Sequence, residues 1–286
     1  MQELEGRTAV VTGAASGIGR AVATRFAQAG MNLVLADVEE AALESAASLL
    51  ADAGHTVLPV VTDVSDGKSV EALAEQTLSR YGAVHLVHNN AGVGVGGFSW
   101  TSTEADWEWV LGVNLWGVIH GVRTFVPIMI EQGEPAHVVN TASMAGLISV
   151  PFLAAYNVSK HGVVTLSETL QRELDIVGAP VRVSVLCPGV VQTNIFASQR
   201  NRPERLREEG TAGFEALLQG GTDTASLEAF GQLLTPEEVA EQVHDAVVTD
   251  RFYILTHPGP SETLVRTRMD DVLAGRTPAP LAIDGS

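Results

Sequence analysis

Short apolar runs rich in Val, Leu and Ala alternate along this chain with longer segments whose apolar residues recur every three or four positions. The first run, Thr8–Thr12, reads as a strand. Gly17–Ala29 then places Ile18, Val22, Phe26 and Ala29 on one helical face. The alternation continues as strand Asn32–Ala36, helix Glu39–Ala53, strand Thr56–Val61, helix Asp66–Tyr81 and strand His85–Asn89. A long helix from about Asp106 to Gln132 follows. After it come strand His137–Thr141, helix Ala154–Val177, strand Val181–Leu186, helix Pro236–Thr249 and strand Phe252–Leu255. Several strands are apolar throughout, so both of their faces are covered, as in a parallel sheet between helix layers. Repeated βα units make right-handed crossovers. The pattern predicts an α/β fold, a doubly wound, seven-stranded parallel sheet with helices on both faces, in a single domain over residues 1–286.

Two segments break the repeat. Residues 190–234 carry a charged stretch and then a Gly/Thr/Ser stretch after a strand's carboxyl end, where an insertion is placed to cover a ligand crevice. A substrate lid is the expectation, and a surface excursion without ligand contact is the alternative. The tail from about Gly275 is rich in Pro, Gly and Ala and is expected to fray or to dock on another subunit.

Composition narrows the function classes. The 286 residues are 45% hydrophobic and 18% charged, enough apolar content for a substantial core and too much for disorder. The formal net charge is −17. A field of that sign repels phosphate backbones and anionic lipids, which argues against nucleic-acid or membrane-surface partners. A nucleotide cofactor remains open, because backbone N–H groups at a helix N-terminus hold phosphate locally. With one cysteine, Cys187, neither an internal disulfide nor a cysteine metal cluster is possible, and no metal site is expected. Met1–Arg7 lacks the basic and apolar regions of a signal peptide, and no uncharged apolar run of about 18 residues appears. A soluble cytoplasmic protein is the expectation.

In open parallel sheets ligands bind at the carboxyl ends of the strands. The first strand ends in Thr12-Gly13-Ala14-Ala15-Ser16-Gly17-Ile18-Gly19 and opens a helix, a context suited to a pyrophosphate. The bare glycine spacing arises by chance about 0.3 times in such a chain, so the strand-helix context carries the inference. Gly92, Gly94 and Gly97 match a similar expression after the fourth strand, but no helix opens there. The second strand ends in Asp37, able to accept hydrogen bonds from both adenosine ribose hydroxyls and to repel a 2′-phosphate. Neither Val38 nor Ser16 supplies a cation for that phosphate, so NAD is read over NADP; a helix cap is the structural alternative. Asp63 and Val64 end the third strand, where Asp63 either meets an adenine edge or caps the next helix. Asn89-Asn90-Ala91-Gly92 end the fourth, with the amides tying strands together or touching the cofactor.

The strongest constellation is Tyr156-Asn157-Val158-Ser159-Lys160. The chain has three tyrosines and, against fifteen arginines, two lysines, Lys68 and Lys160. Random placement gives a Tyr four residues before a Lys about 0.02 times. The two share a helical face, and a nearby ammonium favours phenolate, so the expectation is a depressed phenol pKa fit for proton transfer. Ser143, thirteen residues before Tyr156, sits past a strand end, either donating to a carbonyl oxygen or capping a turn. Asn114, unfavourable in mid-helix, either bonds a core carbonyl or holds a water behind the lysine.

Together these residues resemble the short-chain dehydrogenase/reductase family, over roughly Gly6 to Leu255. TGxxxGIG stands as Thr12 to Gly19, NNAG as Asn89 to Gly92, the helix Asn as Asn114 and the Ser as Ser143. YxxxK stands as Tyr156 and Lys160, and PG followed by Thr as Pro188, Gly189 and Thr193. One departure is Ala142 where a second Ser is common. The resemblance implies a Rossmann-type fold, with Tyr156 as acid/base, Lys160 on the nicotinamide ribose, Ser143 orienting substrate oxygen and Asn114 holding a relay water. It adds Pro188, Gly189, Val191 and Thr193 to the NAD site, Thr193 at the carboxamide, and implies a homodimer or homotetramer. Asn194-Ile195, Asn201 to Arg205 and Thr256-His257 are more weakly similar to bacterial dehydrogenases of benzylic alcohols in lignin-derived aryl ethers. The expected function is NAD-dependent oxidation of a hydrophobic, possibly aryl, secondary alcohol, or reduction of its ketone, with Met144, Leu147, Phe152, Val190 and Phe196 as candidate substrate wall. An NAD-binding sensor without turnover, and an epimerase or dehydratase that retains NAD, are the alternatives.

Overall fold

The computed structural model describes residues 1–207 and 232–280. The middle of the expected lid and the end of the tail therefore lie outside the described residues. Seven strands form one parallel sheet in the order β3-β2-β1-β4-β5-β6-β7. They are β1 (Thr8–Thr12), β2 (Asn32–Asp37), β3 (Val57–Val61), β4 (Leu86–Asn89), β5 (Ala136–Thr141), β6 (Val181–Cys187) and β7 (Tyr253–Leu255). The helices are α1 (Gly17–Gln28), α2 (Glu40–Asp52), α3 (Gly67–Tyr81), α4 (Glu104–Leu111), α5 (Gly117–Gln132), α6 (Ala154–Val177), α7 (Pro236–Thr249) and α8 (Pro260–Ala274).

Successive strand residues point to opposite faces, so each apolar strand feeds two cores. Ala9, Val11, Leu33, Leu35, Val139 and Leu186 pack with residues of α1, α2 and α7. Val10, Val34, Val87, Val138 and Val183 pack with residues of α3, α5 and α6 on the other side. This arrangement is why the strands read as continuous hydrophobic runs. The chain winds one way from β1 to β3 and the other way from β4 onward. The sheet therefore opens a crevice between the carboxyl ends of β1 and β4, the switch point where such folds bind ligand.

The expected long helix differs in two respects. It starts at Glu104, held by a capping box between Thr103 and Asp106, and a π turn at Gly112–Trp116 divides α4 from α5. The π turn carries Asn114, whose side chain binds the β4–α4 loop and so holds the wider turn in place. Arg123 interrupts the uncharged stretch here, yet Glu104–Gln132 is long and apolar enough by composition to cross a membrane. In this fold it packs as a core helix, with Trp109, Val110, Phe125 and Met129 buried. Helix α8 was not legible as an element: its apolar residues Met269, Val272 and Leu273 are exposed, so no buried stripe marks it. Its signals were the proline at its start and Gly275 at φ +63° at its end.

Chain ends around residues 190–234 meet on the rim. Leu234 N–H donates to Val190 O at 3.1 Å and Gln192 N–H to Leu234 O at 2.9 Å, so the segment leaves and rejoins at one point.

Close packing of α5 on β4 relies on Gly121, where a Cβ would lie 2.0 Å from Asn89 Oδ1. Asn89 cannot yield, because its Nδ2 donates to Asn140 Oδ1 at 2.9 Å. Gly121→Ala is expected to destabilise the fold by about 1–3 kcal/mol through overpacking, read from the midpoint of urea unfolding.

Candidate active site

The loop after β1 is shaped by its glycines. Gly13 adopts φ +64°, and a Cβ there would meet Ala91 Cα at 2.9 Å. A Cβ on Gly19 would fall 2.2 Å from Gly13 O. Gly19 thus packs the helix onto the loop and is not among the cleft-lining residues, whereas Gly13, Ser16, Gly17 and Ile18 are. Ser16 caps α1 without a side-chain hydrogen bond, so its hydroxyl leaves the first N–H groups of the helix to another acceptor. This cradle, which side chains would fill, fits a pyrophosphate.

Asp37 does not cap α2; that position is Glu39. Its Oδ2 accepts from Ala15 N–H at 3.0 Å and its Oδ1 from Glu39 N–H at 3.0 Å, which fixes the carboxylate on the groove wall with lone pairs still free. Asp63 is engaged locally: its Oδ1 accepts from Ser65 N–H at 2.9 Å and Ser65 Oγ at 2.7 Å. Asp63 and the buried Val64 both line the cleft. Asn90 ties strand ends together, its Nδ2 donating to Thr12 O at 3.0 Å and its N–H to Thr12 Oγ1 at 2.9 Å. Asn90, Ala91 and Gly92 also line the cleft.

At the cleft floor Ser143, Tyr156 and Lys160 come together. Ser143 follows β5 and caps a short 3-10 turn, its Oγ accepting from Ala145 N–H at 3.1 Å. The Tyr156 hydroxyl is hydrogen-bonded to Ser143. Lys160, one turn along α6, is buried, its Nζ 5.6 Å from the Tyr156 ring centroid and donating to Thr141 O at 2.9 Å. Thr141 is held in turn. Its hydroxyl donates to Asn90 Oδ1 at 3.3 Å and lies 2.8 Å from Nε2 of His88, an imidazole that burial keeps neutral, with its pKa pushed down to about 3.

The electrostatics correct one expectation. The Tyr156 phenol is not depressed: burial pushes its pKa above the ordinary value, and the bond from Ser143 only partly offsets this. Burial also brings Lys160 down, to about 8. Desolvation disfavours the charged form of both groups and is the dominant cause at each.

Asn114 makes the core-carbonyl bond. Its Oδ1 accepts from Val93 N–H at 2.8 Å, and its Nδ2 donates to Val93 O at 2.9 Å and Ser159 Oγ at 3.2 Å. It stands close to the lysine, since a Cβ on Gly92 would lie 3.5 Å from Asn114 Oδ1 and 3.7 Å from Lys160 Nζ.

Beyond β6, Pro188, Gly189, Val191 and Thr193 line the cleft, a Cβ on Gly17 reaching within 3.2 Å of Thr193 Cγ2. Thr256 and His257 hold this turn from behind: Gly189 N–H donates to Thr256 Oγ1 at 3.1 Å, and Thr256 Oγ1 lies 2.7 Å from His257 Nδ1. The lining also contains Met144, Phe152, Val190 and Phe196. Leu147 is the exception among the wall candidates; it packs on the cluster of Val163, Val164 and Val185.

Sequence reasoning missed several members. Trp109 lines the cleft and carries the Arg202 guanidinium over its ring at 5.3 Å. Arg202 is buried and paired, Nη1 to Asp106 Oδ1 at 2.7 Å, so the stretch Asn201–Arg205 is anchored to α4. Thr141, Glu39 and Arg200 were also unmarked. A tryptophan at helical spacing in an acidic segment, and arginines in an acidic chain, were the available signals. The whole cleft encloses about 390 Å³, within the range of small-molecule sites.

Comparisons place these features among known proteins. A family model described as short chain dehydrogenase matches residues 7–204. A short-chain dehydrogenase/reductase from Burkholderia phymatum, solved in complex with NAD, is 48% identical over 98% of this chain and 99% of its own, with a TM-score of 0.92. The 1-deoxy-11-beta-hydroxypentalenate dehydrogenase of Streptomyces avermitilis is 37% identical over 94% of this chain and 91% of its own length. The C alpha-dehydrogenase of a Sphingobium species is 34% identical over 92% and 85%.

Lys160 makes a prediction about stability. In the unfolded chain it keeps its proton to about pH 10.5, but in the folded chain only to about 8. Between those values the unfolded state binds more protons, so raising the pH favours folding. Relative to Lys160→Met, the wild-type protein should gain on the order of 1–3 kcal/mol between pH 7 and 10, read from paired urea titrations. A constant difference across that window would refute the buried, charge-strained lysine.

Proposed function

The chain belongs to the short-chain dehydrogenase family, and on that footing we propose that it transfers hydride between NAD and a hydrophobic secondary alcohol, aryl alcohols included, or its ketone. The observation that carries the reading is the hydrogen-bonded Ser143–Tyr156 pair beside the buried Lys160 ammonium, at the end of a glycine-walled groove bearing Asp37. The sensor without turnover finds no support in a site whose three polar groups are all in place.

When bound, the nicotinamide supplies the hydride acceptor or donor. The chain's own residues handle the oxygen. Ser143 donates a hydrogen bond to the substrate oxygen and fixes it near Tyr156. Tyr156 takes the hydroxyl proton in oxidation and returns it in reduction. Its raised pKa keeps the phenol protonated at neutral pH, which suits the acid role directly. The base form depends on Ser143 and on the charge of Lys160, both of which favour phenolate. Lys160, locked to Thr141 O, also presents its ammonium toward the ribose position. Asn114 supports this floor by clamping Val93 across from the lysine. Gly13, Ser16, Gly17 and Ile18 form the phosphate cradle, and Gly19 shapes it by packing the helix onto the loop. Asp37 takes the ribose hydroxyls, Asp63 and Val64 the adenine edge, and Asn90, Ala91, Gly92, Pro188, Gly189, Val191 and Thr193 flank the nicotinamide half.

Support for an apolar substrate comes from the walls and the mouth. Met144, Val190 and Phe196 line the inner cleft, and Phe152, 41% exposed, stands at its edge. Phe98 lies 5.0 Å from the Phe152 ring and 4.6 Å from that of Trp100, which is 79% exposed. Phe152 holds φ +65°, a strained conformation for a bulky residue, fixed by the bond from Gly97 N–H to its carbonyl at 2.9 Å. A hydroxylated pentalenate in one relative's name is compatible with such walls. Trp116 and Val158, half exposed on the π turn and α6, support a homodimer or homotetramer.

Tyr156→Phe should lower turnover of NAD with a panel of hydrophobic secondary alcohols by about 10²–10⁴-fold, with dinucleotide affinity changed by less than about twofold. A variant that turns over at the wild-type rate would sink the mechanism. Asp37→Ala should raise the NADP-to-NAD ratio of kcat/KM by at least about tenfold. Wild-type preference for NADPH would instead remove Asp37 from its role.

A further inference from the structure

Among the described residues lining the cleft, the cations are Lys160 on the floor and Arg200 at the opposite end. Arg200 is not free to meet a ligand. Its Nε and Nη2 donate to Glu39 Oε1 at 3.1 and 2.8 Å, and Asn201 Nδ2 adds a bond to the same oxygen at 2.9 Å. Its Nη1 donates to the carbonyls of Asn194 and Ala197 at 3.2 and 2.9 Å. Glu39 is itself joined to the groove wall, its N–H donating to Asp37 Oδ1. The guanidinium is therefore held two residues along the chain from the carboxylate assigned to the adenosine ribose.

Arginine is the side chain best matched to a phosphate, because its planar fork donates two parallel hydrogen bonds. A chain that selects NAD must prevent such a fork from facing the 2′ position. We propose that Glu39 is a positioning residue that sets dinucleotide choice by holding Arg200 captive, so that no cation is presented where a 2′-phosphate would lie. The inference rests on the reading of Asp37 as the ribose-binding carboxylate. It gives the two acids different tasks. Asp37 accepts from the ribose hydroxyls and repels phosphate, whereas Glu39 occupies the arginine that the described cleft lining offers to reward it. Partly exposed ion pairs are weak, so loss of Glu39 releases the guanidinium without unfolding the loop. The bonds from Nη1 to Asn194 and Ala197 keep the released fork on the rim, with Nε and Nη2 now unclaimed.

The test is equilibrium binding by calorimetry on the full chain, with ADP-ribose and 2′-phospho-ADP-ribose as probes. These ligands differ only in the 2′-phosphate, so a general structural effect moves both affinities alike. Glu39→Gln is expected to shift the affinity ratio toward the phosphorylated probe by about tenfold. The same substitution made on Arg200→Met should shift it by about twofold or less, the coupling a double-mutant cycle isolates. Glu39→Ala, with a shorter side chain, should repeat the result. Equal gains in the presence and absence of Arg200 would mean that Glu39 acts only through its own charge, and would overturn the proposal. So would an unchanged ratio in Glu39→Gln and Glu39→Ala when the wild type discriminates between the probes. A wild type that binds the two equally would instead remove the reading of Asp37 beneath it.

Discussion

The hydrogen bond from Lys160 Nζ to Thr141 O joins the first turns of α6 to the end of β5, and the geometry of the floor follows from it. A buried ammonium needs a fixed acceptor, and a backbone carbonyl at a strand end is one that cannot rotate away. Thr141 is held from its other side by Asn90 and His88, so the acceptor is locked to β4 as well. Tyr156, one turn before the lysine, is thereby set against Ser143. The sheet, rather than the loops, thus fixes how Lys160, Tyr156 and Ser143 stand to one another.

Most of the frame was legible because each strand serves two cores. Runs such as Thr8–Thr12 and the Leu33–Ala36 core of β2 are buried without alternation, and the helices between them carry one clear apolar face. The site was legible where chemistry constrains residue type, as at Tyr156 and Lys160, and where a turn needs glycine, as at Gly13. It was illegible where function depends on balance. Proximity in sequence showed that Lys160 would lie near Tyr156, but not that burial would raise the phenol. That outcome depends on how completely the folded cleft floor excludes water, which no local pattern records.

Asn114 shows a second limit. Its mid-helix position signalled an unusual role, and the structure supplies the reason: the amide pairs with both polar groups of Val93, and the helix widens into a π turn to allow it. The turn and the partner are coupled over 21 residues of sequence, so neither predicts the other alone. Leu147 failed for the opposite reason. An apolar residue a few positions past Ser143 can face the cleft or the core, and only the path of the short 3-10 turn after Ser143 decides between them.

The closure of the excursion at Val190, Gln192 and Leu234 has an architectural corollary. Its entry and exit are stitched to each other, and its first residues are built into the cleft, through Arg200 on Glu39 and Arg202 on Asp106. Chain closure grows only slowly more costly with length. A graft that keeps residues 190–207 therefore preserves the groove, whereas one that replaces them dismantles one of its walls.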